Sequence, residues 1–222
     1  MVSLQFANVG FTVRQTSTRQ SMLAKRIRRP VLQSVSLDLS SGMRCALIGP
    51  NGSGKTTFLR LASAIYRPTT GSISVNGRVA SVIDPMCHVE PLLTGRRNTS
   101  SLLHLQGVAR SSRDDLVDFV AHHSGLGRQF DDSVGTYSVG MQWKLALWSV
   151  IAARPEIILI DEGIATLDEE SRTHFKSCLD EVLGDTGILL LATQSPMIEK
   201  QFCRQQLNFG DASVSGPHAS LG

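Results

Sequence analysis

The segment IGPNGSGKTTFLR, residues 48–60, restricts the possible folds more than any other part of the chain. It is a glycine-rich turn between an apolar run that indicates a buried strand and a stretch with helical spacing of apolar residues. The glycines allow backbone N–H groups to turn towards an anion, Lys55 supplies a cation to the β and γ phosphates, and Thr56 presents a hydroxyl to Mg²⁺. The predicted nucleotide phosphate loop consists of Gly49, Pro50, Asn51, Gly52, Ser53, Gly54, Lys55, Thr56 and Thr57.

The composition sets wide limits on the class of protein. The 222 residues suffice for one large or two small domains, and the net charge of +3 does not require a nucleic-acid partner. The four cysteines form no C-x-x-C pair, which favours a reducing compartment over a disulfide framework or a zinc site. No apolar run is long enough to cross a bilayer, so any membrane association is expected to be peripheral. The six histidines show no spacing typical of a metal site, and Trp143 and Trp148 are expected to be packing residues.

A second apolar run, PEIILIDEG at 155–163, ends in two carboxylates. A buried parallel strand would place Asp161 and Glu162 at its carboxyl end, which is the edge where α/β sheets bind ligands. We expect Asp161 to hold Mg²⁺ together with Thr56, and Glu162 to orient and polarise the attacking water. The alternative for two such acids in isolation is a solvated loop.

The segment TYSVGMQWKLALW, residues 136–148, leads from a turn of small residues into an amphipathic helix. Ser138 and Gly140 can present a hydroxyl and free N–H groups at the helix N-terminus, an arrangement that suits an anion. The alternative is an ordinary helix start in which Ser138 is the N-cap.

The order of these three motifs resembles that of the nucleotide-binding subunit of ABC transporters, with residues 137–141 in the place of that family's Leu-Ser-Gly-Gly-Gln signature. The resemblance implies an α/β fold with a P-loop NTPase core of the ABC ATPase type, an antiparallel β edge and a helical subdomain at about 84–143. It further implies a single nucleotide-binding domain over residues 1–210. The small, polar residues 211–222 are expected to form a flexible tail.

The same resemblance implies a homodimer that encloses two ATP molecules with Mg²⁺. Ser138, Gly140 and Met141 would then contact the nucleotide bound by the partner subunit. Asp168, in IATLDEES, matches the acidic residue of the family's loop that crosses the dimer interface. Its alternative role is the N-cap of the helix that follows, and both roles are compatible.

Within the superfamily the chain is most similar to the ATPases that export capsular polysaccharide, O-antigen or teichoic acid. The similarity is carried by TYSVGM, by LLTGRRN at 92–98, by GRVASVID and by a basic insertion, RQSMLAKRIRRPVLQ. It implies polysaccharide export under a polytopic permease, with the chain at the cytoplasmic face of the cell membrane and no nucleic-acid partner. Lys25, Arg26, Arg28 and Arg29 would then face anionic lipid or a lipid-linked glycan, although such a charge cluster is equally consistent with a solvated loop.

Three positions depart from the superfamily pattern. Asp84 stands where most members have glutamine, and it is expected to be a ligand of Mg²⁺. Gln194 replaces the switch histidine, and Val13 replaces the aromatic residue that stacks on adenine, for which Phe11 or Tyr66 could substitute. We expect slow hydrolysis in which Glu162 and Gln194 are the catalytic residues. The alternatives are a weakly hydrolysing ATP clamp or regulatory subunit and, less favoured, a soluble ABC ATPase without a transport role.

Overall fold

The computed structural model describes residues 1–16, 26–210, 213–215 and 219–221. Lys25, predicted to belong to a basic cluster, lies outside the described residues. The strands are β1 (Ser3–Thr16), β2 (Arg26–Ser40), β3 (Arg44–Ile48), β4 (Thr70–Asn76), β5 (Val79–Val82), β6 (Ile157–Asp161), β7 (Ile188–Ala192), β8 (Gln205–Gly210), β9 (Ser213–Ser215) and β10 (Ala219–Leu221). The α-helices are α1 (Lys55–Ala62), α2 (Gly95–Leu105), α3 (Arg110–His123), α4 (Val139–Ala152), α5 (Glu169–Leu183) and α6 (Pro196–Phe202). Short 3-10 helices span Gly127–Asp131, Val134–Thr136 and Gly163–Thr166.

A six-stranded sheet in the order β5-β6-β7-β3-β8-β9 forms the centre of the core. Neighbouring strands from β5 to β8 are parallel, and β9 pairs with β8 in the antiparallel sense. β3, β6 and β7 are almost continuous runs of buried apolar residues, as expected of strands that are covered on both faces. Their carboxyl ends meet at one edge of the sheet, which places the segments after residues 48, 161 and 192 side by side.

An antiparallel sheet in the order β10-β2-β1-β4 covers the other side of α1. β1 and β2 form a long hairpin-like pair whose register runs from Ser3↔Ser40 to Thr16↔Arg26. On its inner face Phe6 stacks on Phe58 of α1 with ring centroids 4.5 Å apart. Full burial of such an aromatic side chain contributes about 1.5 to 3 kcal/mol, so this contact helps to fix the antiparallel sheet on the core. The predicted antiparallel β edge is confirmed.

The helices α2, α3 and α4 form the predicted helical subdomain, with a difference in its extent. Leu103, Val120 and Trp148 join one apolar cluster that continues into the core at Ile160 and Phe175. The predicted boundary at residue 143 falls inside α4, which continues to Ala152. Residues 145–152 are all buried, so the second half of this helix belongs to the core and the first half to its surface.

The range 211–222, predicted to be a flexible tail, contains two short strands. β9 pairs with β8, and β10 pairs with β2 in the antiparallel sheet. Val214 of β9 is buried in the apolar cluster between the two sheets. The fold therefore continues beyond the predicted boundary at residue 210.

Candidate nucleotide-binding and hydrolysis site

The loop between β3 and α1 has the geometry of a cradle for an anion. Gly54, the N-cap of α1, has φ 104°, a left-handed conformation that favours glycine. The Lys55 side chain is only 7% exposed, and its Nζ donates hydrogen bonds to the carbonyl oxygens of Gly49 (2.7 Å) and Pro50 (3.0 Å). The loop thus folds around its own cation, and the two carbonyl oxygens fix the position of the ammonium.

Two further features of this loop fit a phosphate chain. The Ser53 Oγ is buried and has no hydrogen-bond partner among the described residues. The first turn of α1, which contains Thr56 and Thr57, holds no acidic residue, so the positive end of the helix dipole is not neutralised there. Asn51 and Gly52 lie exposed at the tip of the loop. This loop therefore combines a buried hydroxyl, a lysine cation and a helix N-terminus, which are donors that a phosphate group would satisfy.

Asp161 lies at the carboxyl end of β6, directly opposite the first turn of α1. The Thr56 hydroxyl donates a hydrogen bond to Asp161 Oδ2 over 2.6 Å. Burial raises the pKa of the Asp161 carboxyl above its ordinary value; the hydrogen bond from Thr56 lowers the pKa and the charge of Glu162 raises it. A hydroxyl and a carboxylate are hard oxygen ligands of the kind that Mg²⁺ prefers, so the pair fits that ion.

Glu162 follows in a strained backbone conformation. Its φ of 68° and ψ of −67° lie in the tight γ-turn region, which costs on the order of 1 to 3 kcal/mol for a residue other than glycine. The strain is maintained by the Glu162 N–H, which donates to the Ala192 carbonyl (2.8 Å), and by Gly163, which is buried against the ring of Trp143. The turn directs an exposed carboxylate away from β6 at the edge where the phosphate loop lies.

Gln194, which follows β7, connects this carboxylate to the phosphate loop. Its side-chain Nε2 donates to Glu162 Oε1 (3.0 Å) and to Asn51 Oδ1 (2.9 Å). The structure therefore brings Lys55, Thr56, Asp161, Glu162 and Gln194 to one sheet edge. Sequence reasoning missed the link to Asn51 and the packing of Trp143 on Gly163, since both depend on contacts between distant segments.

Ser138 and Asp168 are helix N-caps. The Ser138 Oγ accepts a hydrogen bond from the Met141 N–H (3.3 Å) at the start of α4, and Gly140 lies in the same first turn. Asp168 Oδ1 accepts from the Ser171 N–H (2.8 Å). None of the four predicted positions, Ser138, Gly140, Met141 and Asp168, is hydrogen-bonded to the phosphate loop in the described part of this subunit. Their contact with a partner's nucleotide therefore stays a prediction.

The Asp168 carboxylate has a second partner on α4. Lys144 Nζ donates to its Oδ2 over 3.2 Å. The hydrogen bonds from Ser171 and the Lys144 cation lower the pKa of Asp168 to about 2. The carboxylate is therefore ionised over the whole neutral range and holds the start of α5 to the first half of α4.

Asp84 is placed differently from the other predicted metal ligands. Its Oδ1 accepts a hydrogen bond from the Met86 N–H (2.9 Å), which closes a local turn after β5. Asp84 lines a cavity of about 580 Å³ between the core and the helical subdomain, together with Tyr66, Val82 and Leu105. Its hydrogen bond is to this turn rather than to Thr56 or Asp161, so its role as a ligand of Mg²⁺ stays a prediction.

The aromatic residues near the predicted adenine position stack on each other. Phe11 and Tyr66 have ring centroids 5.2 Å apart and planes inclined by 6°. The Tyr66 hydroxyl accepts a hydrogen bond from Arg60 Nη1 (3.0 Å). Val13, one alternating position further along β1, is 37% exposed.

The fold and the site together define a P-loop nucleotide hydrolase. One edge of its parallel sheet carries a glycine-rich loop over a buried lysine, a Thr–Asp pair and a strained glutamate. The helical subdomain and the antiparallel β sheet place it among the ATP-binding cassettes. The family model described as ABC transporter matches residues 32–165, and the chain belongs to this family. The family prediction is confirmed.

The relatives of the chain include named export proteins. It is 36% identical to an O-antigen export system ATP-binding protein of Myxococcus xanthus over 82% of this chain, and it spans 41% of that protein's length. It is 31% identical to a polysialic acid transport ATP-binding protein of Escherichia coli over 82% of this chain and 84% of the other. A solved ATP-binding cassette dimer bound to ADP and Pi has the same fold, with a TM-score of 0.80 and 19% identity over 98% of this chain and 97% of the other.

In the part of the chain that the structure describes, no helix combines the length and the apolar character that a membrane span requires.

Proposed function

We propose that the chain is the ATP-binding and ATP-hydrolysing subunit of an ABC transporter that exports a cell-surface polysaccharide such as capsule, O-antigen or teichoic acid. The observation that carries the ATPase part is the convergence of Lys55, Asp161 and Glu162 at one sheet edge. The polysaccharide part is supported by the similarity to ATP-binding proteins of O-antigen export and polysialic acid transport.

In this proposal the phosphate loop binds the β and γ phosphates through Lys55 Nζ, the Ser53 hydroxyl and the N–H groups of the first turn of α1. Thr56 and Asp161 would hold Mg²⁺, which supplies charge neutralisation at the phosphates when it is bound. Glu162 orients the attacking water and accepts its proton. Gln194 keeps the Glu162 carboxylate over the loop through their hydrogen bond.

The dimer and the permease provide the coupling to transport. Ser138, Gly140 and Met141 would meet the nucleotide of a partner subunit, with Asp168 at the same interface. The cavity that contains Asp84, between the core and the helical subdomain, would receive a cytoplasmic helix of the permease. The chain would then lie peripherally at the cytoplasmic face of the cell membrane.

The basic residues of the N-terminal hairpin have a proposed role in cargo contact. Arg28 and Arg29 are exposed on β2, and Arg26 begins that strand. Their charge suits an anionic lipid or the pyrophosphate of a lipid-linked glycan. No nucleic-acid partner is proposed, since the net charge of +3 is small for that purpose.

The test is Mg²⁺-dependent ATP turnover by the chain with its permease in lipid. We expect Glu162→Gln to retain ATP binding and to lower turnover by about 10² to 10⁴, the range typical of a lost general base. Lys55→Ala serves as the binding-deficient comparison. The proposal would be contradicted if the wild type binds ATP but hydrolyses it no faster than Glu162→Gln, while Gln194→His gains activity. That result would indicate a subunit that binds ATP as a clamp and rarely hydrolyses it.

A further inference from the structure

A cluster of three potential metal ligands lies outside the nucleotide site, where α3 and α5 approach each other. It consists of His123 at the end of α3 and of His174 and Cys178 on α5. His123 Nδ1 and His174 Nε2 are 2.7 Å apart, and one ligand atom from each of the three residues lies within 4.8 Å of the others. The two α5 residues are four positions apart, so they share a helix face.

The two imidazole rings are held in place by an aromatic side chain between them and the core. Trp148 of α4 is 1% exposed, and its ring centroid lies 5.4 Å from that of His123 and 5.1 Å from that of His174. Phe119 packs against His123 from the same helix, with centroids 4.2 Å apart. Both histidine rings thus pack against a buried indole, a condition that favours a preformed metal site.

A metal ion binds histidine through a ring nitrogen that carries no proton, and cysteine through its thiolate. Binding at this cluster would therefore release the thiol proton.

We propose that His123, His174 and Cys178 form a binding site for Zn²⁺, with the fourth tetrahedral position open to water. Two nitrogens and one thiolate are ligands typical of this ion. On binding, Cys178 gives its proton to solvent, and whichever ring donates in the His–His hydrogen bond shifts its proton to its other nitrogen. The site is distinct from the nucleotide site and does not depend on the proposed function.

The two ring nitrogens need only a small rearrangement to hold the ion. Zn–N bonds of about 2.0 to 2.1 Å at a tetrahedral angle separate two nitrogens by about 3.3 Å. The present separation of 2.7 Å would therefore open by roughly 0.6 Å. His174 is exposed and can move by this amount, while His123 stays against Trp148. The bound ion would fasten α3 of the helical subdomain to α5 of the core.

The experiment is calorimetric titration of the nucleotide-free full chain with ZnCl₂, together with absorption spectra of the chain with CoCl₂. We expect one Zn²⁺ per chain. His174→Gln and Cys178→Ser should each weaken Zn²⁺ binding at least tenfold, and Cys178→Ser should abolish the thiolate-to-cobalt absorption. His104→Gln and Cys87→Ser, an exposed histidine and an exposed cysteine outside the cluster, are the matched controls and should bind Zn²⁺ as the wild type does.

Three outcomes would contradict the proposed zinc site. The wild type could fail to bind Zn²⁺, both cluster variants could bind Zn²⁺ as the wild type does, or the control variants could lose as much Zn²⁺ affinity as the cluster variants. Asp161→Asn identifies any Zn²⁺ bound at the nucleotide site, because this substitution should remove Zn²⁺ from that site and leave Zn²⁺ binding by the cluster unchanged. ATP binding by His174→Gln is measured in parallel and should equal that of the wild type. Normal ATP binding shows that the variant is folded, and it separates the loss of Zn²⁺ binding from any failure of the proposed function.

Discussion

The side-chain amide of Gln194 donates hydrogen bonds to Glu162 Oε1 at 3.0 Å and to Asn51 Oδ1 at 2.9 Å. The three residues come from the ends of three different segments, and the adjacent parallel strands β6 and β7 bring two of them together. Gln194 uses its two N–H donors for two acceptors, and it does so without a charge. Where the superfamily pattern has a histidine, a neutral amide thus holds the carboxylate at the phosphate loop.

Replacement of Gln194 by glutamate should disrupt this link. The new carboxylate cannot donate to Asn51 or Glu162, and it places a like charge beside Glu162. Loss of a hydrogen bond to a charged group is worth about 1.5 to 3 kcal/mol, so we expect turnover to fall about 10- to 100-fold. The measurement is steady-state ATP hydrolysis at saturating ATP. Gln129→Glu, at an exposed position in a 3-10 helix, is the matched control, and equal loss in both variants would contradict the role of Gln194.

Replacement of Gly163 by alanine should affect stability and turnover together. A Cβ at residue 163 would overlap the ring of Trp143, and one of the two must move. Overpacking of this kind costs typically about 1 to 3 kcal/mol, and the displacement would be transmitted to Glu162 next in the chain. Urea unfolding and ATP turnover measure the two effects. Gly210→Ala, whose Cβ would meet open space, is the control; a Gly163→Ala variant that behaves like it would show that Trp143 can move freely.

The N-cap of α5 predicts a pH-dependent contribution to stability. The pKa of Asp168 is lowered from 3.8 to about 2, so its stabilising effect is fully present above pH 3.8 and is lost as the pH falls towards 2. Asp168→Asn, which retains a capping side chain but no charge, should therefore be less stable than the wild type at pH 7. The difference should shrink steadily below pH 3.8.

Urea unfolding of both proteins at pH 7, 5 and 3 measures this dependence. Asp185→Asn, at an exposed aspartate two residues beyond the end of α5, is the comparison variant. A difference between wild type and Asp168→Asn that stays constant from pH 7 to pH 3 would mean that the Ser171 and Lys144 contacts do not act through the carboxylate charge.

An aromatic residue at position 13 should strengthen nucleotide binding if the adenine lies there. Base stacking on an aromatic side chain is worth about 1 to 3 kcal/mol, so Val13→Tyr should increase ATP affinity about fivefold or more. Val13→Leu adds apolar volume without a ring and should leave the affinity nearly unchanged. Equilibrium binding of a fluorescent ATP analogue measures the nucleotide affinity of each variant.

The opposite result at this position is equally informative. If Val13→Tyr has no effect while Phe11→Leu lowers the affinity, the stacked pair of Phe11 and Tyr66 carries the adenine contact instead. The control on that pair is Tyr66→Phe, which keeps the ring and removes the hydroxyl that accepts from Arg60.

Local patterns were sufficient where the chemistry is contiguous in sequence. The phosphate loop is one unbroken segment, so its glycines, Lys55 and Thr56 could be identified before any fold was known. The same holds for β6, because a run of buried apolar residues ending in Asp161 and Glu162 indicates a parallel strand that ends at a ligand-binding edge. The family resemblance added the antiparallel sheet and the helical subdomain, both of which the fold contains.

Contacts between distant segments could not be obtained in this way. The histidines show no sequence spacing typical of a metal site, because His123 and His174 are 51 residues apart. The packing of both rings against Trp148 brings them together. The polar tail at 211–222 gave no sign that two strands within it would find partners in β8 and β2.

By itself, the sequence determined that this protein holds a phosphate chain on a P-loop and has acids at the end of a buried strand, because local spacing fixes both. The tertiary structure alone decided which side chains meet those groups. Gln194 reaches Asn51 and Glu162 because β6 and β7 are neighbours in the sheet. The folded loop also buries the Ser53 hydroxyl, which has no hydrogen-bond partner in the described part of the chain. The physical reason is that hydrogen bonds and burial act over a few ångströms, a distance that the chain fixes by folding and not by sequence separation.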